Sequence, residues 1–228
     1  QFVSNASHEL KTPLSTIKIL IETLIYQDPM DPGMTKEFLG NINSEIDRLN
    51  GIISDLLSLV SIDSGEMRLK REKFRLDDMV RDCTRKLAPL ARERGIELEE
   101  TVRDAVEITA DKSKLMQVVY NVIDNAIKYT PAGSHIVLRA ERWGSMVEVS
   151  IADDGPGISD EAKAHLFDMF YTASQGKSDN RRGLGLGLSL CRSIVSAHGG
   201  TISVTDNSPH GSVFTFTLPL EEVNVENV

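Results

Sequence analysis

The sequence predicts an α+β protein in two parts, an N-terminal antiparallel helical hairpin followed by an α/β two-layer sandwich. Apolar residues between positions 10 and 60 recur at alternating steps of three and four, which is the spacing of one face of a helix. After residue 65, short alternating runs typical of strands are interleaved with amphipathic helical stretches. These elements do not follow one another as regular βαβ units, which favours a two-layer sandwich over a doubly wound sheet.

Two apolar stripes predict the hairpin. Two helices cannot bury both stripes alone, so we expect a second copy of the chain to complete a dimeric four-helix bundle. The alternative is that the helices pack on the rest of their own chain. Between the stripes, residues 28–33 contain two prolines and a glycine, a combination that no helix traverses. The stripes are Leu10, Leu14, Ile17, Ile21 and Leu24, then Leu39, Ile42, Ile46, Leu49, Ile53, Leu56 and Val60.

The second part is predicted as strands and helices in a definite order. Asp111 is a good N-cap for the helix that follows it. Residues 153–182 are rich in Gly, Asp and Ser and mostly lack periodicity. We therefore divide the chain into a hairpin (1–64), a linker (65–73), a second domain (74–221) and a tail (222–228). The predicted strands are 68–76, 96–102, 136–143, 146–152, 201–205 and 213–220, and the predicted helices are 77–94, 111–129 and 184–198.

Composition excludes several classes of protein. The 228 residues are 40% apolar, which is ample for a packed domain, and the net charge is −9. That acidic balance argues against a nucleic acid or an anionic membrane surface as the partner. No run of 18 apolar residues occurs, so no membrane contact is expected in this chain. Cys83 and Cys191 stand apart without metal-ligand spacing and are expected to be core residues in a reducing, cytoplasmic setting.

His8 is the first candidate for chemistry. On a helix it lies about 160° from the apolar stripe that begins at Leu10, with Thr12 one turn on. Glu9 is beside it, and a carboxylate can fix the tautomer of a nucleophilic imidazole. Pro13 removes one backbone hydrogen bond and is expected to kink the helix. Taken alone, the same pattern also fits an ordinary solvated pair, and zinc binding of the HEXXH type is excluded because Thr12 stands where the second histidine would be.

A nucleotide site is predicted from separate segments, beginning with the helix over 111–129. Asn121, Asn125 and Lys128 share one face of that helix, away from its apolar side. Amide oxygens can ligate Mg²⁺ and a lysine can meet phosphates. By itself, this polar stripe also fits a solvent-exposed helix face.

Two glycine-rich loops complete the predicted site. Residues 153–158 read Asp-Asp-Gly-Pro-Gly-Ile, and Gly155, Gly157 and the following Ile158 let backbone approach a planar ligand while Asp153 accepts hydrogen bonds from an exocyclic amine. A simple turn explains this string equally well. A second loop, 183–188, opens a helix with bare N–H donors suited to phosphate. A P-loop around residues 176–178 is excluded, because Tyr171 stands where that motif needs glycine.

The order and spacing of these motifs resemble the transmitter core of the sensor histidine kinases of two-component systems. Five motifs in register span residues 2–220. His8 to Pro13 resembles the H box of that family, Asn121 to Tyr129 the N box, Asp153 to Gly157 the G1 box, Phe167 to Tyr171 the F box and Gly183 to Leu188 the G2 box.

The resemblance implies a role for each domain and for several side chains. Residues 1–64 would dimerise and carry the phosphorylated histidine, and 74–221 would be an ATP-binding domain of the Bergerat fold whose lid is 154–182. Asp153 would hold the adenine amine. Asn125 would ligate Mg²⁺ with Asn121 beside it. Lys128 and Tyr129 would contact the phosphate or adenine side of the nucleotide.

The phosphates would meet backbone groups of Gly185, Leu186 and Gly187. The chain departs from the family at Thr172, where many members have a basic residue after the F box. This departure puts a γ-phosphate contact from that position in doubt. Three other basic residues could supply it, and the sequence does not choose among them: Lys177, Arg181 and Arg182.

The resemblance implies ATP-dependent autophosphorylation of His8, with Glu9 accepting its proton, and transfer of the phosphoryl group to an aspartate of a response regulator. Thr12 matches a position that helps some members dephosphorylate their regulator. The alternatives are a Bergerat-type ATPase and a non-catalytic dimeric scaffold. Hydrolysis is disfavoured because those ATPases carry a water-activating Glu where this chain has Asn121. The chain opens at Gln1, and we expect it to be the cytoplasmic part of a longer sensor.

Overall fold

In the computed structural model, residues 2–26, 31–63, 69–102, 105–172 and 185–220 are described. The chain divides into two compact units, Gln1–Gly65 and Glu66–Val228. Among the helices of the described residues, none is long and apolar enough to cross a membrane.

The first unit consists of two packed helices, α1 (Phe2–Tyr26) and α2 (Pro32–Asp63). Helix α1 runs without interruption through Pro13, whose side chain is buried. The apolar stripes are only partly covered within the hairpin. Ile42 and Ile52 are buried, while every seventh residue of the α2 stripe stays exposed: Leu39, Ile46 and Ile53.

Helix α2 begins earlier than the prolines of residues 28–33 suggest. Pro32 is its first residue, a position where the missing N–H has no helical partner to lose. The Asp31 carboxylate accepts a hydrogen bond of 2.9 Å from the amide of Gly33 and caps the helix. The prediction was that no helix traverses residues 28–33. Pro32 and Gly33 are the first residues of α2, because a proline in the first turn starts a helix and does not break it.

The second unit is built on a five-stranded mixed sheet. Its strands are β2 (Glu97–Val102), β4 (His135–Trp143), β5 (Met146–Asp153), β6 (Thr201–Asp206) and β7 (Ser212–Pro219). They lie in the order β2-β4-β5-β7-β6, with β2 parallel to β4 and the other pairs antiparallel. Alternate residues of β4, β5 and β7 are buried, as expected when one face of a sheet packs against a helical layer.

Helices α3 (Leu76–Glu93), α4 (Lys112–Tyr129) and α6 (Gly187–Ala197) form the second layer. Helix α4 is central and packs against both α3 and α6. Asp111 caps it by accepting a 3.1 Å hydrogen bond from the amide of Lys114, as predicted. Cys83 and Cys191 are buried. The predicted fold class, helices followed by a two-layer α/β sandwich, is confirmed.

Three local predictions differ from the structure. A strand was expected over 68–76, but β1 covers only Glu72–Arg75 because α3 begins at Leu76. Strand β3 (Glu107–Ala110), which pairs with β1, was missed because four residues are too few to display a period. The short helix α5 (Asp160–His165) was missed as well, although Ser159 followed by two acidic residues is a helix-start signal.

Candidate functional site

Asp153 lies at the end of the buried face of the sheet. Along β5 the buried residues are Val147, Val149, Ile151 and then Asp153, so the strand period places a carboxylate where the preceding positions are aliphatic. Its partner across the β5–β7 ladder is Ser212, which is also buried. A carboxylate on this face needs polar partners, because burying an unpaired charge is costly.

Two backbone amides donate hydrogen bonds to this carboxylate. Oδ1 of Asp153 accepts hydrogen bonds from the amides of Gly155, at 2.8 Å, and Ser212, at 3.3 Å. Within the described ranges of the chain, no hydrogen bond engages the second oxygen, Oδ2. Burial raises the pKa of Asp153, the two amide bonds oppose this, and the nearby Asp154 raises it further. The result is a desolvated acceptor with one oxygen available to a donor from a ligand.

Close backbone approach explains the glycines around Asp153. Gly211 has a φ of +110°, and a Cβ there would lie 1.8 Å from the carbonyl oxygen of Asp153, so no other residue fits without moving the backbone. Gly157, with a φ of +76°, comes close to Gly211, since a Cβ on it would be 3.5 Å from the carbonyl oxygen of Gly211. Ile158 follows and is half-buried.

The predicted site residues of helix α4 differ in their burial and in the partners that their side chains contact. Asn125 is half-buried, and its amide makes no hydrogen bond to any residue that the structure describes. Lys128 forms an ion pair with Asp124 at 2.5 Å. The Asn121 side chain donates a 3.4 Å hydrogen bond to the carbonyl of Gly187. Tyr129 is 54% exposed. Asn121 thus connects α4 to the glycine loop, whereas Lys128 has a partner on its own helix.

The start of α6 offers backbone donors. Its N-cap is Leu186, which provides no side-chain cap, and Gly187 is its first residue. Uncapped N–H groups at a helix N-terminus suit a phosphate. Gly185 has a second, structural role: a Cβ there would lie 2.5 Å from the carbonyl of Tyr171, and its own carbonyl accepts from the amide of Phe170 at 3.0 Å. The residues preceding α6 therefore pack directly on the end of the F-box segment.

Several predicted residues lie outside the described part of the chain. These are Gly183 and Leu184 of the glycine loop, together with the three basic residues considered as phosphate ligands, Lys177, Arg181 and Arg182. Thr172 is half-buried.

In the hairpin unit, His8 and Glu9 belong to α1, and their side chains lie outside the described residues. Thr12 is exposed, and its carbonyl accepts a 3.2 Å hydrogen bond from the hydroxyl of Thr16.

Magnesium fits the donor set near Asn125. In the described part of the chain, no three His, Cys, Asp or Glu side chains are grouped as a metal site. Mg²⁺ commonly uses one or two protein oxygens, with water and substrate phosphates completing its shell. The amide of Asn125, which has no hydrogen-bond partner among the described residues, could supply one such oxygen, and its helix packs against α6.

Two family models match the chain, one for each unit. The His Kinase A (phospho-acceptor) domain matches residues 1–65. The family described as histidine kinase-, DNA gyrase B- and HSP90-like ATPase matches residues 110–222. The chain belongs to the sensor histidine kinases. The matched ATPase family implies that the nucleotide is ATP, and the predicted class of enzyme, a protein-histidine kinase, is supported by both models.

Relatives and solved structures agree with this family. The histidine kinase core is 32% identical to the sensor protein KdpD of Clostridium acetobutylicum over 94% of its own length, and it spans 24% of KdpD. It is similar to the structure of the Acinetobacter baumannii histidine kinase AdeS, with 25% identity, a TM-score of 0.76 and coverage of 94% of this chain and 98% of that one. The structure of histidine kinase ThkA in complex with response regulator protein TrrA gives 26% identity, a TM-score of 0.75 and coverage of 96% and 61%.

The sequence did not single out two residues of the histidine kinase core that contact the Asp153 region. The Asn207 side chain donates a 2.9 Å hydrogen bond to the carbonyl of Asp153, and Thr130 lies beside Gly155. Neither has a sequence signal of its own, because each reaches the site through the tertiary fold. For Ser212, the sequence offered one indirect indication: the preceding Gly211, because a glycine in a strand often marks a close approach of another backbone.

Proposed function

We propose that this chain uses ATP to phosphorylate His8 in its own hairpin and then passes the phosphoryl group to an aspartate of a response regulator receiver domain. The observation that carries the proposal is the buried carboxylate of Asp153, with Oδ2 left for a ligand, in the same chain as a matched phospho-acceptor unit. The proposed reaction needs a site that binds the adenine amine of ATP through a hydrogen bond and a unit whose histidine receives the phosphoryl group.

In the proposed complex, Asp153 accepts a hydrogen bond from the exocyclic amine of adenine. Gly155, Gly157 and Ile158 form the wall against the base, and Tyr129 covers its exposed side. Phosphates meet the backbone at Gly185, Leu186 and Gly187. Lys128 reaches a phosphate only by leaving Asp124, because the two are paired at 2.5 Å in the structure.

Asn125 would hold Mg²⁺, with Asn121 fixing the neighbouring glycine loop through its hydrogen bond to Gly187. When bound, the ion supplies charge neutralisation for the triphosphate. The chain itself orients the γ-phosphate and brings a nucleophile in line with the bond to be broken.

The nucleophile is a ring nitrogen of His8. It attacks the γ-phosphorus, the bond from that phosphorus to the β,γ-bridging oxygen breaks, and ADP leaves. The proton on the other ring nitrogen passes to Glu9, so the product is a neutral phosphorylated imidazole ring. Because His8 and the nucleotide site belong to different compact units, the reaction requires the two to meet during each cycle.

Incubation with ATP labelled at the γ-phosphate tests this assignment. We expect acid-labile label on the wild-type protein and on His210→Ala, a variant of an exposed histidine, and at least about a hundredfold less on His8→Ala, since no other group holds that position. Asn125→Ala is expected to lose label together with nucleotide-induced thermal stabilisation. Undiminished acid-labile label on the His8→Ala protein would contradict the proposal.

The exposed apolar stripe of the hairpin supports a homodimer through residues 1–64. A second copy would cover the exposed positions and complete a four-helix bundle. The receiver domain of a response regulator is proposed as the second partner, because the similar kinase ThkA is solved in complex with the response regulator protein TrrA. We place the chain in the cytoplasm, where ATP is available and where the two buried free cysteines stay reduced.

Thr12 supports a further proposed activity, removal of the phosphoryl group from the regulator. Its side chain is exposed one turn after His8 on the same helix, where a hydroxyl can orient an attacking water. Thr12→Ala is expected to slow regulator dephosphorylation about tenfold or more while His8 phosphorylation continues. Thr16→Ala, one turn further on, is the control, and equal dephosphorylation by all three proteins would rule the role out.

Hydrolysis of ATP as the main activity is disfavoured. A Bergerat-type ATPase needs a group that activates water, and Asn121 is an amide without a proton-accepting nitrogen or a carboxylate. Its side chain also donates to the carbonyl of Gly187, which assigns it a connecting role. A non-catalytic scaffold is disfavoured by the retained acceptor at Asp153.

A further inference from the structure

The chain enters the second unit through residues 69–71, the entry segment, immediately before β1. The antiparallel ladder of β1 and β3 ends where Glu72 pairs with Ala110. The ladder cannot continue toward the entry segment, because the residue after Ala110 is Asp111, the N-cap of α4. The side chain of Asp111 takes the place of the missing strand: its Oδ2 accepts a 3.0 Å hydrogen bond from the backbone amide of Lys70. We call this contact the Asp111–Lys70 clamp.

Asp111 is held in one orientation by other groups of the second unit. Its backbone amide donates a 3.0 Å hydrogen bond to Nε2 of His198, and its Oδ1 accepts from the amide of Lys114 at 3.1 Å and from the hydroxyl of Ser113 at 2.7 Å. Burial by itself would raise the pKa of the Asp111 carboxyl, but the hydrogen bonds from Ser113, Lys114 and Lys70 bring the pKa below its ordinary value. The ionised carboxylate therefore has two separate functions, since Oδ1 caps α4 and Oδ2 holds the entry segment.

Capping α4 does not require the second oxygen. Serine and asparagine cap a helix about as well as aspartate does. The entry segment also contributes little to the core, because Lys70 and Arg71 are exposed and Leu69 is half-buried. In the sequence, residues 64–68 join this segment to the end of α2. What Oδ2 restrains is therefore the end of the connection to the hairpin.

We propose that Asp111 is a positioning residue for the phosphorylation of His8, because the clamp reduces the number of conformations that the connection loses when the nucleotide site meets His8. This inference rests on the proposed function and adds a restraint on the connection to it. Ordering a free backbone costs conformational entropy, and a segment that is already ordered has less to lose. Opening the clamp should slow phosphoryl transfer and spare ATP affinity, since Asn121 is about 15 Å further along α4.

Asp111→Asn separates the two oxygens. The amide oxygen of asparagine still caps α4, whereas its NH₂ group places a donor against the Lys70 amide, so the clamp opens and the cap remains. By nuclear magnetic resonance, we expect the Lys70 amide proton to exchange with solvent at least about tenfold faster in this variant. At saturating ATP, the rate of His8 phosphorylation should fall about three- to tenfold, while ATP affinity and the melting temperature stay close to those of wild type.

Three further variants are matched controls. Lys70→Ala keeps the backbone amide and should phosphorylate His8 at the wild-type rate. Lys70→Pro has no backbone N–H and should be as slow as Asp111→Asn. Ser113→Ala removes a partner of Oδ1, leaves Oδ2 in place and should also transfer at the wild-type rate.

The outcomes distinguish this inference from the function on which it rests. If wild-type protein is not phosphorylated on His8, the proposed function fails and the inference fails with it. If wild type is phosphorylated and Asp111→Asn reacts equally fast, the inference alone is overturned. Unchanged exchange at the Lys70 amide in Asp111→Asn would show that Oδ2 does not hold the segment. A slower reaction that comes with weaker ATP binding and a lower melting temperature would assign Asp111 a purely structural role.

Discussion

At the scale of single residues, Asp153 is buried, and among the described residues only one of its two carboxylate oxygens, Oδ1, accepts hydrogen bonds. Burial raises the pKa of its carboxyl from the ordinary value of 3.8, despite hydrogen bonds from the amides of Gly155 and Ser212. Its protonated form therefore contributes stability below pH 3.8 that is lost as the pH rises through the raised folded-state pKa. At neutral pH the ionised carboxylate costs folding free energy, which agrees with the proposed role of Asp153 in binding the nucleotide.

Asp153→Asn is expected to separate binding from stability. The amide oxygen still accepts from Gly155 and Ser212, and the desolvated charge is gone, so the melting temperature without nucleotide should not fall. ATP affinity should fall about tenfold or more, because a hydrogen bond to a charged acceptor contributes about 1.5–3 kcal/mol. Calorimetric titration and thermal unfolding measure the two effects.

Asp154→Asn is the matched control, because Asp154 is the adjacent carboxylate and its Oδ2 accepts from the backbone amide of His135 at 3.1 Å. It should retain ATP affinity within about threefold, as expected for a neighbouring charge in a solvated position. Wild-type affinity should also decline as the pH falls through the raised pKa of Asp153. Equal loss of affinity in both variants would contradict a specific contact from Asp153.

At the scale of elements, His198 joins the end of α6 to the start of α4. Its Nε2 accepts a 3.0 Å hydrogen bond from the amide of Asp111, and its Nδ1 lies 2.8 Å from the carbonyl of Ile194. This pattern requires a neutral ring with its proton on Nδ1. The side chain is buried, and burial lowers its pKa from 6.5, with the charge of Arg71 lowering it further, against the raising effects of the Ile194 carbonyl and the Asp111 charge.

The second unit is therefore expected to lose stability in mild acid. Below pH 6.5 the unfolded chain takes up a proton at His198 that the folded unit does not, so the free energy of unfolding decreases until the folded-state pKa is reached. We expect the melting temperature to drop by on the order of a few degrees between pH 7 and pH 5.5. Calorimetry across this pH range measures the drop.

His198→Gln should reduce that pH dependence, because glutamine does not titrate, whereas His210→Gln, at an exposed position, should preserve it. An identical pH dependence in wild type and His198→Gln would show that other groups cause the loss of stability.

At the scale of the whole molecule, the chain consists of two compact units that differ in how far each covers its own apolar surface. The second unit covers one face of its sheet with its own helices. The hairpin leaves Leu39, Ile46 and Ile53 exposed by 55%, 42% and 41%, at a spacing of seven residues on one side of α2. Apolar area of this kind favours association, because each buried methylene contributes about 0.8 kcal/mol.

Ile46→Glu is expected to turn the proposed dimer into a monomer at micromolar concentration. A charge on this face would be buried without a partner, which should weaken association about a hundredfold or more. Ser44→Glu adds the same charge at an exposed position on the opposite side of the helix and should leave the dimer intact. Light scattering after gel filtration gives the mass of each.

ATP affinity should be the same in both variants, because the nucleotide site belongs to the other unit. A dimer that persists in Ile46→Glu would place the association elsewhere on the chain.

The sequence by itself determined the helical hairpin, the two-layer α/β class and the family, because these depend on periods, caps and motif order that are local to each segment. The strand period also explains why Asp153 lies on a buried face. Short elements escaped prediction, since β3 and α5 have four and six residues and their pairing or packing decides them.

Only the tertiary structure decided which polar groups meet. Asn121 and Gly187 are 66 residues apart, and the Asp111–His198 contact spans 87 residues. Thr130 has no signal in the sequence, because a threonine after a helix is ordinary until the fold buries its hydroxyl beside Gly155. Local chemistry selects the elements, whereas contacts between distant segments depend on how those elements pack, and packing joins the end of α4 to the loop after β5.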